Sequence, residues 1–341
     1  MNKKILAAII TATVSGSAFA EVSVYDNNGV SVNVGGAAEV QIIQKYEYKT
    51  QDIERDIALS DGELTFDTKV EVSKDTKALG FFNAEFADGV YQNGELYVGL
   101  EDNALGTIKA GKTATAWDDT GIDKSIELAV TDVSFVLEVL TDAGEIDGHT
   151  PVFADGADVI SWEKEFGVVR TKVATDLKTG EVDSKHVDAM VGVKAGDFDI
   201  RAFIQKGEYV NSDNVADYGY DVKAFALEAE YAKGDLNVAA GYYKVENEFA
   251  DGDIGYTNMQ VAASYAMDKT TVAGGVSLVE LTDVEGVDYD TTNFYVNVTQ
   301  ELHENVAVYA EVGMNDISIK VDDQSASDSS VAYLVGMAVS F

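Results

Sequence analysis

The sequence has no cysteine and a single proline, Pro151, in 341 residues. Without cysteine no disulfide can staple the fold, so the chain must be held by packing and backbone pairing alone. Without proline, strands run uninterrupted, because proline removes a ladder donor and is confined to edges and bulges. Basic residues are scarce, 24 against 60 acidic ones. A surface of that sign repels nucleic acid and gathers cations, and it equally serves plain solubility in salt. Beyond the first twenty residues no run approaches the ~18 consecutive apolar residues that a membrane-spanning helix needs. An acidic chain with 30 glycines invites a reading of disorder. The aromatic content of 10% and the dense β-branched residues exclude it, since disordered segments lack both.

The N-terminus is MNKKILAAIITATVSGSAFA. Lys3 and Lys4 precede an apolar stretch that ends in Ala18-Phe19-Ala20, the layout of a secretory signal peptide cut between Ala20 and Glu21. Thr11, Thr13, Ser15, Gly16 and Ser17 interrupt the run, which argues against a membrane anchor. The expected division is therefore a leader, 1–20, and one domain, 21–341. Removing Lys3 and Lys4 leaves 22 basic residues against 60.

The C-terminus, VAYLVGMAVSF, repeats with period two. Val331, Tyr333, Val335, Met337, Val339 and Phe341 form a large apolar face, and Ala332, Leu334, Gly336, Ala338 and Ser340 a mostly small one. Such alternation describes a strand with one greasy side. That side faces a core in a soluble sandwich and lipid in a transmembrane barrel. Seven short connections rich in Gly, Asp and Asn recur, at 73–77, 101–105, 164–167, 195–197, 233–235, 268–270 and 301–305. They alternate with eight longer, polar, acidic ones, such as 211–220, 249–255 and 322–330. That sorting predicts about sixteen antiparallel strands of about ten residues, with short turns at one end and loops at the other. The faces agree. Leu64, Phe66, Thr68, Val70 and Val72 oppose Asp67, Lys69 and Glu71; Phe225, Leu227, Ala229 and Tyr231 oppose Glu228 and Glu230. Sixteen strands that each carry a charged face need a wet interior, and a barrel of that size holds one. The predicted fold class is all-β, a transmembrane antiparallel barrel whose apolar rows meet lipid.

These features together resemble the general-diffusion porins of Gram-negative bacteria, most closely the OmpU-like and OmpL-like porins of marine vibrios. The signal ending SAFA, the segment LYVGLEDNALGTIKAGKT at 96–113 and the terminal VAYLVGMAVSF carry the resemblance. It implies a sixteen-stranded barrel assembled as a homotrimer in the outer membrane, among lipid and lipopolysaccharide, with no nucleic acid partner and no cofactor. It implies that Phe341 belongs to the signal read by the barrel-assembly machinery. It also implies that the third external loop, here about 113–156, folds into the lumen. Acidic residues on that loop, Asp118, Asp119, Asp123 and Glu127, would then face basic residues of the wall. The family's wall arginine, in a Gly-Arg pair, falls on Lys112 of Gly111-Lys112. Alternation from Ile108 puts Lys109 inward and Lys112 outward, so either a bulge or a different register is expected near them. By parity Lys69, Arg170, Lys172 and Arg201 also face inward. With a basic set this thin, the resemblance implies a passive, water-filled channel for small hydrophilic solutes that prefers cations.

Three other readings compete. An enzyme would need a nucleophile or activated water beside a histidine, and His149, His186 and His303 sit in expected loops without ligand or triad spacing. An adhesin-type barrel would act through its external loops. A selective oligosaccharide channel would line its lumen with aromatics, and Tyr97, Tyr243, Tyr295 and Tyr309 face inward by parity. Each acidic loop residue taken singly is equally well a solvated surface charge.

Overall fold

The computed structural model describes residues 21–47, 52–87, 90–122, 155–177, 182–211, 219–249, 252–284, 287–321 and 324–341. Seventeen strands account for nearly all of them: β1 (Val22–Asn27), β2 (Val30–Glu47), β3 (Asp52–Glu71), β4 (Thr76–Ala87), β5 (Val90–Asp102), β6 (Gly106–Ala114), β7 (Asp155–Phe166), β8 (Val169–Asp176) and β9 (Val182–Ala195), then β10 (Phe198–Asn211), β11 (Gly219–Lys233), β12 (Leu236–Phe249), β13 (Gly252–Met267), β14 (Thr270–Val284), β15 (Val287–His303), β16 (Val306–Val321) and β17 (Gln324–Ser340). None of the described helices is long and apolar enough to cross a membrane.

Each strand from β2 onward pairs antiparallel with its sequence neighbours, and β17 returns to β2 with Tyr333 opposite Gln44 and Ser340 opposite Ala37. That last pairing closes a sixteen-strand ring and leaves no edge, which suits a bilayer with no water to satisfy one. The closure ends on Phe341. Its backbone exchanges two hydrogen bonds with Gly36, at 3.0 and 2.9 Å. Its ring lies where a Gly36 side chain would be, since a Cβ there would come within 2.6 Å of Phe341 Cζ. Strand β1 is additional to the expected sixteen. It folds back through Asn28 and Gly29, both at positive φ, and pairs with the start of β2. An Asn-Gly pair is the residue choice that a two-residue hairpin turn with positive φ at both positions demands.

All seven short turns lie where the sequence places them, for example at 196–197, 234–235 and 268–269. The strands are longer than expected, mostly twelve to eighteen residues, and they absorb stretches read as loops. Of the stretch 249–255, Phe249 ends β12 and 252–255 open β13. The reason is visible on β12. Leu236, Val238, Ala240 and Tyr242 point outward, but the next outward residues are Lys244, Glu246 and Glu248. Lys244 pairs with Glu246 at 2.6 Å, and Lys223 of β11 pairs with Glu248. Backbone pairing thus continues past the apolar belt, with polar side chains taking over the outer face. Over the same height the inner face turns apolar: Val222, Val245, Val279 and Leu281 are fully buried.

Elsewhere the outward rows are exposed and apolar, as on β17 (Val331, Tyr333, Val335, Met337, Val339) and β5 (Leu96, Val98, Leu100). Exposed apolar rows on every strand of a closed ring are what a hydrocarbon surround requires. The four inward tyrosines face as parity predicts, with Tyr97 half-buried and the others buried. His186, expected in a loop, instead lies buried on the inward face of β9, because β9 begins at Val182.

Candidate functional site: the inner wall

The inward side chains fall into three sectors. The first holds the basic residues, on β8 to β11. Arg170 donates to both oxygens of Asp199, at 2.6 and 2.5 Å. Lys172 Nζ pairs with Asp119 Oδ1 at 3.1 Å. Arg201 Nη2 pairs with Glu228 Oε2 at 2.6 Å. Every cation of this sector therefore stands against its own carboxylate.

Against this sector lies the start of the long connection after β6. A single 3₁₀ turn, Trp117–Asp119, sits on the inner wall far from the strand it leaves. Asp188 of β9 accepts the backbone N–H groups of Ala116 and Trp117, at 3.2 and 3.0 Å. The Trp117 ring meets Phe203 of β10 edge-on. Arg201 donates to the carbonyls of Asp119 and Gly121, at 3.3 and 3.1 Å. Glu228 of β11 accepts Gly121 N–H at 2.6 Å and Tyr243 O–H at 2.8 Å. A segment leaving β6 reaches side chains up to five strands away only by running along the inside of the barrel. Asp118 is half-buried here and engaged. Asp123 and Glu127 lie outside the described residues, as does the expected leader, 1–20.

The second sector is acidic and occupies β2 to β5. Glu39, Asp61, Glu63, Glu85 and Glu95 face inward on four consecutive strands. Glu39 stands opposite Asp61, and Glu63 opposite Glu85. Glu95 accepts Thr113 O–H at 2.6 Å and Ala114 N–H at 3.0 Å. Strands β10 and β11 are seven and eight places from β3 in a ring of sixteen, so this sector faces the Arg201–Glu228 wall across the lumen. Toward the tight-turn end it carries two paired lysines. Lys69 meets Asp67 at 3.1 Å, and Lys109 meets Glu163 at 3.9 Å while lying over the Tyr97 ring. Lys112 is half-buried, and the β6–β7 register slips beside it, between Gly111 and Thr113. Of the two alternatives expected there, the bulge is present, with Gly111 at φ 140°.

The third sector, β12 to β16, is mostly neutral: Gln260, Ser277, Asn293 and Asn315 form one row across neighbouring strands, and its buried Glu311 accepts an amide hydrogen of Asn297 at 3.2 Å. Its tyrosines are wall filler. Tyr295 packs over Gly275, Tyr243 over Gly241 and Tyr309 over Gly336. Gln41 of β2 donates to Tyr309 O–H at 3.1 Å, tying the closing seam from inside.

The basic residues that the sequence singled out are thus present and mostly inward, and Lys172 of β8 and Arg201 of β10 touch the inward turn directly. The acidic sector was missed. Its signal was available for Asp61 and Glu63, which share the parity of Asp67, and for Glu39, which alternates with outward Val40. Glu85 was hidden by a register shift between Phe82 and Ala84. Among the described residues no three acidic or histidine side chains are arranged to ligate a metal directly.

The model of a family described as Gram-negative porin matches residues 6–320. Porin-like protein H of Photobacterium profundum is 32% identical over 354 aligned positions that cover 99% of this chain and 100% of the relative. Among solved structures, the trimer form of Vibrio cholerae OmpT superposes with a TM-score of 0.76 at 19% identity, over 92% of this chain and all of that one. An anion-selective porin from Comamonas acidovorans superposes at 0.73 with 14% identity, again over 92% of this chain and all of that one.

Proposed function

The chain belongs to the Gram-negative porin family, and from that membership we propose that it is a passive outer-membrane pore for small hydrophilic solutes that prefers cations. The channel class follows from the family. The sign of its preference is our reading, and one observation carries it: among the described residues Lys69, Lys109, Arg170, Lys172 and Arg201 each stand against a carboxylate, while a sector of five further carboxylates lines β2 to β5. A paired base adds little net field, because its carboxylate cancels it at contact distance. The unbalanced charge is therefore negative, and a charged ring in a pore admits ions of opposite sign. The fold itself does not decide this, since an anion-selective porin shares it.

The constriction residues enter the same reading. Asp118 and Asp119, held against Lys172 and Arg201, narrow the lumen from the β8–β11 side. Asp123 and Glu127 would extend that rim. Lys69, Lys109 and Lys112 would temper the acidic wall. By analogy with the OmpT trimer, the chain assembles as a homotrimer in lipid and lipopolysaccharide, exported by its leader and inserted by the barrel-assembly machinery through Phe341. A selective sugar channel fits less well. Stacking on a sugar needs open aromatic faces, and Tyr243, Tyr295 and Tyr309 turn theirs onto glycines.

The test is conductance of the purified chain in planar bilayers, with the reversal potential in a potassium chloride gradient. Stepwise ohmic conductance with a cation-selective potential is expected, in three equal steps for a trimer. Silent bilayers from folded protein would overturn the pore, and an anion-selective potential would overturn the preference.

A further inference from the structure

Three acceptor oxygens on the inward faces of β3 and β4 are buried without a hydrogen-bond partner: Glu63 Oε2, Thr65 Oγ1 and Asn83 Oδ1. They are neighbours. Thr65 follows Glu63 two residues along one face, and Asn83 stands opposite Thr65 as Glu85 stands opposite Glu63. Thr65 is 1% exposed and Asn83 7%. Asn83 spends an amide hydrogen on Glu85 Oε1 at 2.9 Å, while its own oxygen has no partner. The carboxylates of Asp61, Glu85 and Glu95 all press on the charge of Glu63. Two costs therefore coincide. Like charges directly opposite destabilise a sheet, and buried acceptors left unmatched cost free energy. A cation relieves both, and carboxylate, hydroxyl and amide oxygens are the donors that a hard divalent ion takes.

We propose that this sector of the wall binds a hydrated divalent cation, Ca²⁺ or Mg²⁺, through Glu63, Glu85, Thr65 and Asn83, with Asp61 and Glu95 adding negative field. The side chains are not set to enclose a bare ion, so the ion keeps part of its water, as Mg²⁺ does in most of its sites. Binding cancels charge on the wall that attracts monovalent cations. The ion therefore lowers their current saturably, from within the pore. Only this second consequence rests on the proposed cation preference; the binding itself does not.

The experiment uses the full mature chain, refolded free of lipopolysaccharide in detergent, and titrates it by calorimetry with CaCl₂ and separately with MgCl₂. One saturable site per chain is expected. Glu63→Gln should weaken it roughly tenfold or more, because affinity at oxygen sites follows ligand charge. Thr65→Val, which changes no charge, should also weaken it. Glu248→Gln, outward and distant, should leave it unchanged. Folding of each variant is checked by heat-dependent gel mobility, and Thr65→Val carries the test if Glu63→Gln does not fold. Absence of saturable heat, or equal affinity in wild type and both wall variants, would overturn the site. So would a proton shared by Glu63 and Glu85, seen as calcium-independent behaviour throughout. Bilayer recordings separate the two proposals. Conductance without calorimetric binding removes the site and leaves the pore; binding with silent bilayers removes the pore and leaves the site.

Discussion

Replacing Arg201 with methionine keeps the length of the side chain and removes its charge. Glu228 is then left 1% exposed with no cation beside it. It retains Gly121 N–H and Tyr243 O–H as donors. Breaking one partner of a buried ion pair costs about 3–5 kcal/mol, because the remaining charge stays desolvated. Arg201 also holds the carbonyls of Asp119 and Gly121, so the loss falls first on the 3₁₀ turn. Glu228→Gln should cost less, about 1–2 kcal/mol, since Arg201 keeps both carbonyls and the glutamine still accepts. The double variant should recover much of the loss, with a coupling of about 1–3 kcal/mol. The assay is denaturant unfolding in lipid vesicles in a Trp162→Phe background, where Trp117 reports the turn through its contact with Phe203. Its emission should shift red at lower denaturant in Arg201→Met than in the double variant. A loss under about 1 kcal/mol, or two single losses that simply add, would refute the claim that this pair pins the turn.

Four further outcomes are expected. Gly336→Leu puts a side chain where the Tyr309 ring lies, so the bond to Gln41 opens and the barrel's heat-dependent gel shift moves to lower temperature. Tyr309→Phe keeps the ring and should cost only about 1 kcal/mol. Gly36→Val forces Phe341 off its seat and should lower the same transition, because a Cβ would also stand 2.9 Å from the Glu63 carbonyl. The potassium-to-chloride permeability ratio should fall as salt rises from about 0.1 M to about 1 M, because the screening length drops from ~10 Å to ~3 Å; a ratio independent of salt would mean that steric fit, not the acidic wall, sets it.

The outward face was legible because lipid makes one demand at every position. Leu64, Phe66 and Val70, or Phe225 and Leu227, repeat a pattern that a period-two reading finds at once. The tight turns were legible from their own chemistry, and the bulge at Gly111 from the conflict between plain alternation and the family's basic position at Lys112. Strand length was not legible. Where β12 rises beyond the apolar belt, Lys244, Glu246 and Glu248 look like loop residues, yet pairing with β11 and β13 continues. Strand β1 was overlooked although Asn28-Gly29 announces a hairpin. The site was legible residue by residue and not as an arrangement. Asp119 meets Lys172, and Gly121 meets Glu228, at sequence separations of 53 and 107, which no local pattern encodes.

That asymmetry has a physical consequence for how such a wall acquires its selectivity. Within the apolar belt an outward residue can change only among apolar types, because every position there meets the same hydrocarbon. An inward residue meets a neighbour specific to its sector: a carboxylate opposite Glu63, a guanidinium opposite Glu228, a glycine beneath Tyr295. Adding one base to the acidic sector would cancel a charge that now stands open to the pore. Adding the same base beside Arg201 would strand it next to a cation that already has its partner. The two substitutions alter the net charge of the chain equally, yet only the first would move the reversal potential without straining the barrel. Position on the ring, rather than the total of −36, is therefore the quantity that governs which ions pass.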